Sequence, residues 1–194
     1  MRLALPTALS STFFARDVHA VARGLIGAVF LVDGVGGIVV ETEAYAPDDP
    51  ASHSYRGRSR RNATMFGPPG RLYVYRSYGI HWCTNVVCGE DEVGAAVLLR
   101  ALEPIHGIAR MQARRGLDDS TLLCSGPGRL CQALGIGGEH DGLPLERPTF
   151  ELHSPGHAPE IMRGPRVGIT RARERPWRYT LRNSPFVSRP RPRA

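Results

Sequence analysis

The chain has 194 residues, 42% of them hydrophobic and 22% charged, which suits one compact domain over 1–194 and excludes wholesale disorder. Its 25 cations against 18 carboxylates leave a net charge of +7, pointing to a polyanionic partner. Every one of those cations is arginine, so lysine Schiff bases, lysine general bases and phosphate-cradling lysines are excluded. No apolar run approaches the ~18 residues that would span a membrane. The opening Met1–Pro6 is too short for a signal peptide, so the expected location is the cytoplasm. Cys83, Cys88, Cys124 and Cys131 have no zinc-ligand spacing and read as reduced thiols; neither a metal nor a cofactor is expected.

In chain order, Ala15 to Gly24 has apolar spacing near 3.6 and reads as a helix closed by Gly24. Ala28–Val32 and Gly37–Tyr45 flank a glycine-rich turn as an antiparallel hairpin. Pro47 to Gly70 is a long polar loop, and loops of that length in compact domains are usually functional or disordered. Leu72 to Val87 alternates as two strands turning at Ser77-Tyr78-Gly79, and Val93 to Leu102 reads as a buried strand. Glu103-Pro104 is expected to open a helix through Ala113, and Ser125–Gly128 another, with Pro127 in its first turn. Val167 to Val187 holds at least one strand. Residues 1–10 and 189–194 read as flexible ends.

Charge is segregated. Pro50 to Gly89 has no acidic residue but six arginines, and from Ala158 onward ten arginines face Glu160 and Glu174. Interleaving with Tyr73, Tyr75, Tyr78 and Trp82 favours nucleic-acid binding over a merely solvated surface. Glu41 and Glu43 lie two apart on an extended segment and so face one side, with Thr42 opposite. A partly desolvated carboxylate of this kind can activate water. Tyr45, His53, Tyr73, Tyr75 and Arg100 fall on neighbouring strands or their mouths, an aromatic slot beside a carboxylate suited to a planar, cationic base. Tyr73 reads as the core member of its strand face.

The blocks Glu41-Thr42-Glu43-Ala44-Tyr45, Ala51-Ser52-His53-Ser54, Arg61–Phe66, Leu72-Tyr73-Val74-Tyr75 and Tyr78-Gly79 resemble the alkyladenine (3-methyladenine) DNA glycosylase family. So do Cys83-Thr84-Asn85, Val97–Pro104, Ser125–Leu134 and Arg166–Ile169, so that the likeness runs from about Phe14 to Ser188. The resemblance implies a single α+β domain, a curved antiparallel sheet surrounded by helices with a protruding β-hairpin. It implies Glu43 as the base that deprotonates the attacking water, with Arg100 and the Val167 carbonyl holding that water. It further implies Tyr45 as one wall of the base pocket, His53 and Tyr75 as the other, and Asn85 as the floor that crowds the amino group of guanine. Tyr78, with Ile80 beside it, matches the wedge that enters the duplex. The implied partner is duplex DNA containing damaged purines, met by a monomer. Ile80-His81 departs from the Met and aromatic that often follow the turn glycine in the family.

Two other functions compete: a binding module without catalysis, and a glycoside hydrolase using Glu41 and Glu43. The second is disfavoured because two carboxylates on one strand lean the same way instead of flanking a bond from opposite faces.

Overall fold

A computed structural model describes residues 7–189. Of the ends expected to be flexible, residues 1–6 and 190–194 lie outside the described residues, and the Leu9 N–H donates to the Leu152 carbonyl at 2.8 Å.

A four-residue helix, α1 (Ser11–Phe14), leads into α2 (Val18–Gly24). The α2 start is set by Asp17, whose carboxylate accepts from the His19 and Ala20 N–H groups, while Val18, Val21 and Ala22 are buried. Two strands follow, β1 (Val29–Val32) and the eleven-residue β2 (Val35–Tyr45), the hairpin expected from the sequence. After the long loop, which contains a short 3-10 turn at Ala63–Phe66, β3 (Leu72–Ser77) and β4 (His81–Cys88) form the second hairpin. Next come β5 (Ala95–His106), α3 (Ile108–Arg115), α4 (Ser120–Leu123) and α5 (Pro127–Leu134). Three short strands close the chain: β6 (Phe150–His153), β7 (Ile161–Gly164) and β8 (Arg178–Leu181).

All strand pairings are antiparallel, in the order β3-β4-β5-β2-β1-β6, with β8 joined to β2 and β7. The curled sheet with its five helices is the expected α+β architecture. A strand has only two edges, and β2 divides one of them. Its first half pairs with β1 through Val35–Ile38, its second with β8 through Glu41–Glu43, while β5 occupies the other edge. The main apolar core gathers α2, α3 and α5 with Val39, Leu72, Val86, Leu99 and Leu102 of the sheet. A smaller cluster of Met65, Phe66, Tyr73, Val87 and Ala96 carries Tyr45 and Tyr75 at its margin.

One expected element is corrected. Glu103-Pro104 does not open a helix; it is the continuation of β5, paired with Ile38 and Gly37. The β2–β5 register shifts between Gly36 and Gly37, and a Cβ on Gly37 would sit 1.8 Å from the Glu103 carbonyl oxygen. Proline, which cannot donate to a ladder, is tolerated at such an irregularity. The helix starts only after Gly107, which turns the chain at φ 67°. By contrast α5 begins as expected, with Pro127 in its first turn and Gly135 closing it at φ 75°.

Candidate active site

The pleat of β2 decides which side chains meet. Thr42 points to the helical face, its hydroxyl donating to the Ala22 carbonyl at 2.9 Å, and Glu41 and Glu43 point the other way, both towards Arg100 of β5. Both carboxylates are fully buried. A buried carboxylate survives only with partners, and the two have different sets.

Glu41 is saturated. Its Oε1 accepts from Arg100 Nε at 2.9 Å, Arg178 Nε at 2.7 Å and the Ser188 hydroxyl at 2.8 Å, and its Oε2 accepts from the Ser188 N–H at 2.6 Å. Arg178 also donates to the Ser188 carbonyl at 3.0 Å, knotting the end of the chain onto β2 and β8. Glu41 therefore holds structure. The pair does not face a bond from two sides, which removes the geometry a two-carboxylate hydrolase would need.

Glu43 is held more loosely. The Tyr45 hydroxyl donates to Oε2 at 2.8 Å, Arg100 Nη1 approaches the same oxygen at 3.4 Å, and the Val167 N–H donates to Oε1 at 2.8 Å. Burial raises the carboxyl pKa above its ordinary 4.5; Arg100, the Val167 N–H and the Tyr45 hydroxyl pull it back down, and Glu41 pushes it up again. The net upward direction is that of a carboxylate made more basic by its surroundings. A carboxylate offers about four acceptor positions. With Tyr45 and Arg100 on Oε2 and only the Val167 N–H on Oε1, Oε1 is the less heavily bonded of the two oxygens.

Beside this group lies a cleft of about 1110 Å³, lined among others by Tyr45, His53, Tyr75, Asn85, Arg100 and Val167. His53 packs edge-on to Tyr75 with centroids 4.6 Å apart, and its Nδ1 shares a 2.9 Å hydrogen bond with the Tyr73 hydroxyl. Burial lowers the His53 pKa, with Arg61 adding to the effect, so the ring is neutral near pH 7. Tyr73 is almost wholly buried, as its alternation implied, and stacks obliquely on Tyr75 at 5.4 Å. Asn85 is buried with its amide donating to the Tyr73 carbonyl at 3.0 Å. Tyr45, His53, Tyr75, Asn85, Arg100 and Val167 thus surround one space, and Glu43 sits behind it. Val167 meets Glu43 through its N–H, whereas the sequence expectation concerned its carbonyl.

The β3–β4 turn carries Tyr78 and Ile80 outward, 86% and 67% exposed. Tyr78 and Gly79 both have positive φ, 50° and 70°, and the Ile80 N–H closes the turn on the Ser77 carbonyl. Tight hairpin turns of this hand require positive φ at both central residues, and a tyrosine is an uncommon residue to supply it. Tyr78 also borders the cleft, so the exposed tip and the pocket are continuous.

Sequence reading missed a second layer. Asp49 and Arg166 form a fully buried bidentate ion pair, with the Arg166 guanidinium 4.7 Å from the Tyr45 ring centroid. Arg178 and Ser188, the partners of Glu41, were missed as well. Arg61, Arg115, Arg129 and Arg171 add positive charge around the cleft mouth. Only the arginine excess of the two basic segments hinted at any of these.

The family model described as "Methylpurine-DNA glycosylase (MPG)" matches residues 12–185. A Rhodopseudomonas palustris (strain HaA2) protein named "Putative 3-methyladenine DNA glycosylase" is 60% identical over 187 residues, covering 96% of this chain and 93% of its own length. Proteins of the same name from Agrobacterium fabrum and Nitrosospira multiformis are 60% and 58% identical, covering 92% and 93% of this chain and 91% and 93% of their own. A match spanning nearly the whole chain, on a fold that gathers the expected pocket residues, places this protein in the methylpurine-DNA glycosylase family: it is a DNA glycosylase.

Proposed function

We propose that this protein flips alkylated or deaminated purines out of duplex DNA and hydrolyses their N-glycosidic bond with a water activated by Glu43, leaving an abasic site. The observation that carries this reading is a buried Glu43 of raised pKa, held by three donors beside an aromatic cleft. A water on Oε1 gives its proton to the carboxylate as its oxygen bonds the anomeric carbon, and the bonding pair of the broken C–N bond leaves with the base. Arg100 and Val167 fix the carboxylate, and the Val167 carbonyl is assigned as the water's second anchor.

A base inside a duplex must be extruded first, at a cost of a few kcal/mol that is least for damaged pairs. Stacking between Tyr45 on one side and His53 with Tyr75 on the other offsets that cost by roughly 1–3 kcal/mol per base. An N-alkylated purine carries positive charge, stacks well on electron-rich rings and leaves as a neutral molecule. Asn85 is assigned to the pocket floor, where it crowds the exocyclic amino group of guanine. Tyr78, with Ile80, is the wedge that fills the vacated stack. The arginines around the mouth take the phosphates. The proposed reaction consumes only water, on a monomer acting in the cytoplasm; no helix among the described residues is long and apolar enough to cross a membrane.

Single-turnover release from duplexes bearing one defined lesion tests the proposal. Glu43→Gln should abolish release while lesion-duplex binding stays within about an order of magnitude, because an amide keeps the shape but takes no proton. Undiminished release by that variant would remove Glu43 from the mechanism.

A further inference from the structure

Arg166 has no assigned part in the reaction, yet four features of the site converge on it. Its guanidinium is fully buried against Asp49, to which it donates through both Nη1 and Nη2. Nη1 also donates at 3.0 Å to the carbonyl of Ala44, the residue between Glu43 and Tyr45. The planar group lies 4.7 Å from the Tyr45 ring centroid and 5.1 Å from that of Trp177. It borders Tyr45 without lining the cleft, so it backs the ring from the interior side. Finally, Arg166 immediately precedes Val167, whose N–H is the donor on Glu43 Oε1.

We propose that Arg166, anchored on Asp49, is a positioning residue that fixes two of the three donors holding the Glu43 carboxylate, the Val167 N–H and the Tyr45 hydroxyl. A backbone N–H on a loop binds a carboxylate strongly only if the loop cannot drift. Arg166 ties that loop to the β2 backbone one residue from Glu43, and its stacking sets the tilt of the Tyr45 ring.

The consequence is a pH signature, and it rests on the reading of Glu43 as the base. The groups facing Glu43 are Arg100 from β5, Glu41 and Tyr45 on β2, Arg178 opposite it on β8, the Val167 N–H, and Tyr75 and Cys83 of the β3–β4 hairpin. Loosening the Val167 and Tyr45 donors removes two interactions that favour the ionised carboxylate, and burial then raises its pKa further. The base is thereby protonated at a higher pH.

The experiment is the pH profile of single-turnover base release from a duplex with one N-methylated purine. It compares wild type, the paired variant Asp49→Asn/Arg166→Gln, which leaves no buried charge alone, and Arg166→Lys. The rising limb should move up by about one pH unit in both variants, making release about tenfold slower below the midpoint. At the alkaline plateau it should return to within about threefold of wild type. Arg166→Lys keeps a cation for Asp49 but not the bidentate, stacked geometry, so it carries the test if the paired variant does not fold. A loss of rate by the same factor at every pH, with an unmoved midpoint, overturns the proposal and leaves Arg166 a purely structural residue. Failure of the underlying reading looks different: Glu43→Gln would stay active and the wild-type profile would have no carboxylate limb, which overturns both.

Discussion

The two carboxylates of β2 make opposite demands on the fold, and substituting each with glutamine separates them. Glu41→Gln removes the charge that compensates Arg100 and Arg178, both of which are almost fully buried, and replaces one acceptor oxygen with a donor amide facing the Ser188 N–H or hydroxyl. Breaking one partner out of a buried ion pair costs about 3–5 kcal/mol. In a chain of this size each kcal/mol lowers the melting temperature by about 2–4 °C, so the expected loss is roughly 6–20 °C. Glu43→Gln behaves differently because burial raises the folded carboxyl pKa above 4.5. The folded state then holds the proton more tightly than the unfolded chain, and stability falls as pH rises from about the unfolded value through the folded one. Above that window the penalty is fully present in wild type and absent from the glutamine variant. Glu43→Gln should therefore melt at or above the wild-type temperature at pH 8, and the difference should close towards pH 4. The assay is thermal unfolding by circular dichroism at both pH values, paired with base release well below the melt. Glu41→Gln should retain more release than Glu43→Gln despite its lower stability. A wild-type melt for Glu41→Gln with a collapsed melt for Glu43→Gln would reverse the roles assigned to the two residues.

Three further outcomes are expected. Tyr78→Ala should lower the flipped fraction read by a fluorescent base analogue and weaken binding to an abasic duplex, with less effect on the chemical step; an unchanged flipping equilibrium would remove Tyr78 from the wedge role. Wild-type release should rise with pH through a midpoint above the ordinary 4.5 of a glutamate, since the base must be ionised to act; a midpoint at or below that value would show that the hydrogen bonds outweigh burial. Borohydride added during turnover should trap no protein–DNA adduct, because the chain has no lysine to form a Schiff base; an adduct on the Met1 amine would overturn hydrolysis by water.

The sequence made local facts legible and distant ones not. Period-two alternation placed Glu41 and Glu43 on one face with Thr42 behind, and the Asp33-Gly34 and Tyr78-Gly79 turns announced both hairpins. Which carboxylate is structural was not readable from spacing, because the decision belongs to Arg178 and Ser188, more than a hundred residues further along the chain. Asp49 and Arg166 escaped for the same reason: each looks like an ordinary loop residue until the fold joins them. The helix expected at Glu103-Pro104 failed through a local signal, Pro after Glu, that tertiary structure overrode. Gly37 admits the β5 backbone so closely, against Glu103 and Ile105, that the strand runs on to His106. Among the short strands, Phe150–His153 does alternate buried and half-buried residues, but Ile161–Gly164 has no buried residue and exists through its pairing with β8.

The division of β2 explains how Glu43, the proposed base, can be buried here at all. A strand paired on both edges is rigid, and β2 is paired on both edges at Glu43, with Leu98 of β5 on one side and Arg178 of β8 on the other. Rigidity fixes the side chain but also removes the water that would keep it ionised. The fold answers with fixed donors instead of solvent: Arg100 from β5, the Val167 N–H from the loop before β8, and Tyr45 two residues along the same strand. These three reduce the burial penalty without cancelling it. A donor set like that around Glu41 would have stabilised the anion further and made it a weaker base. Glu41 accepts from two arginines and from both the N–H and hydroxyl of Ser188, whereas Glu43 meets one arginine at 3.4 Å, and in the proposed mechanism that difference separates a structural anchor from a base.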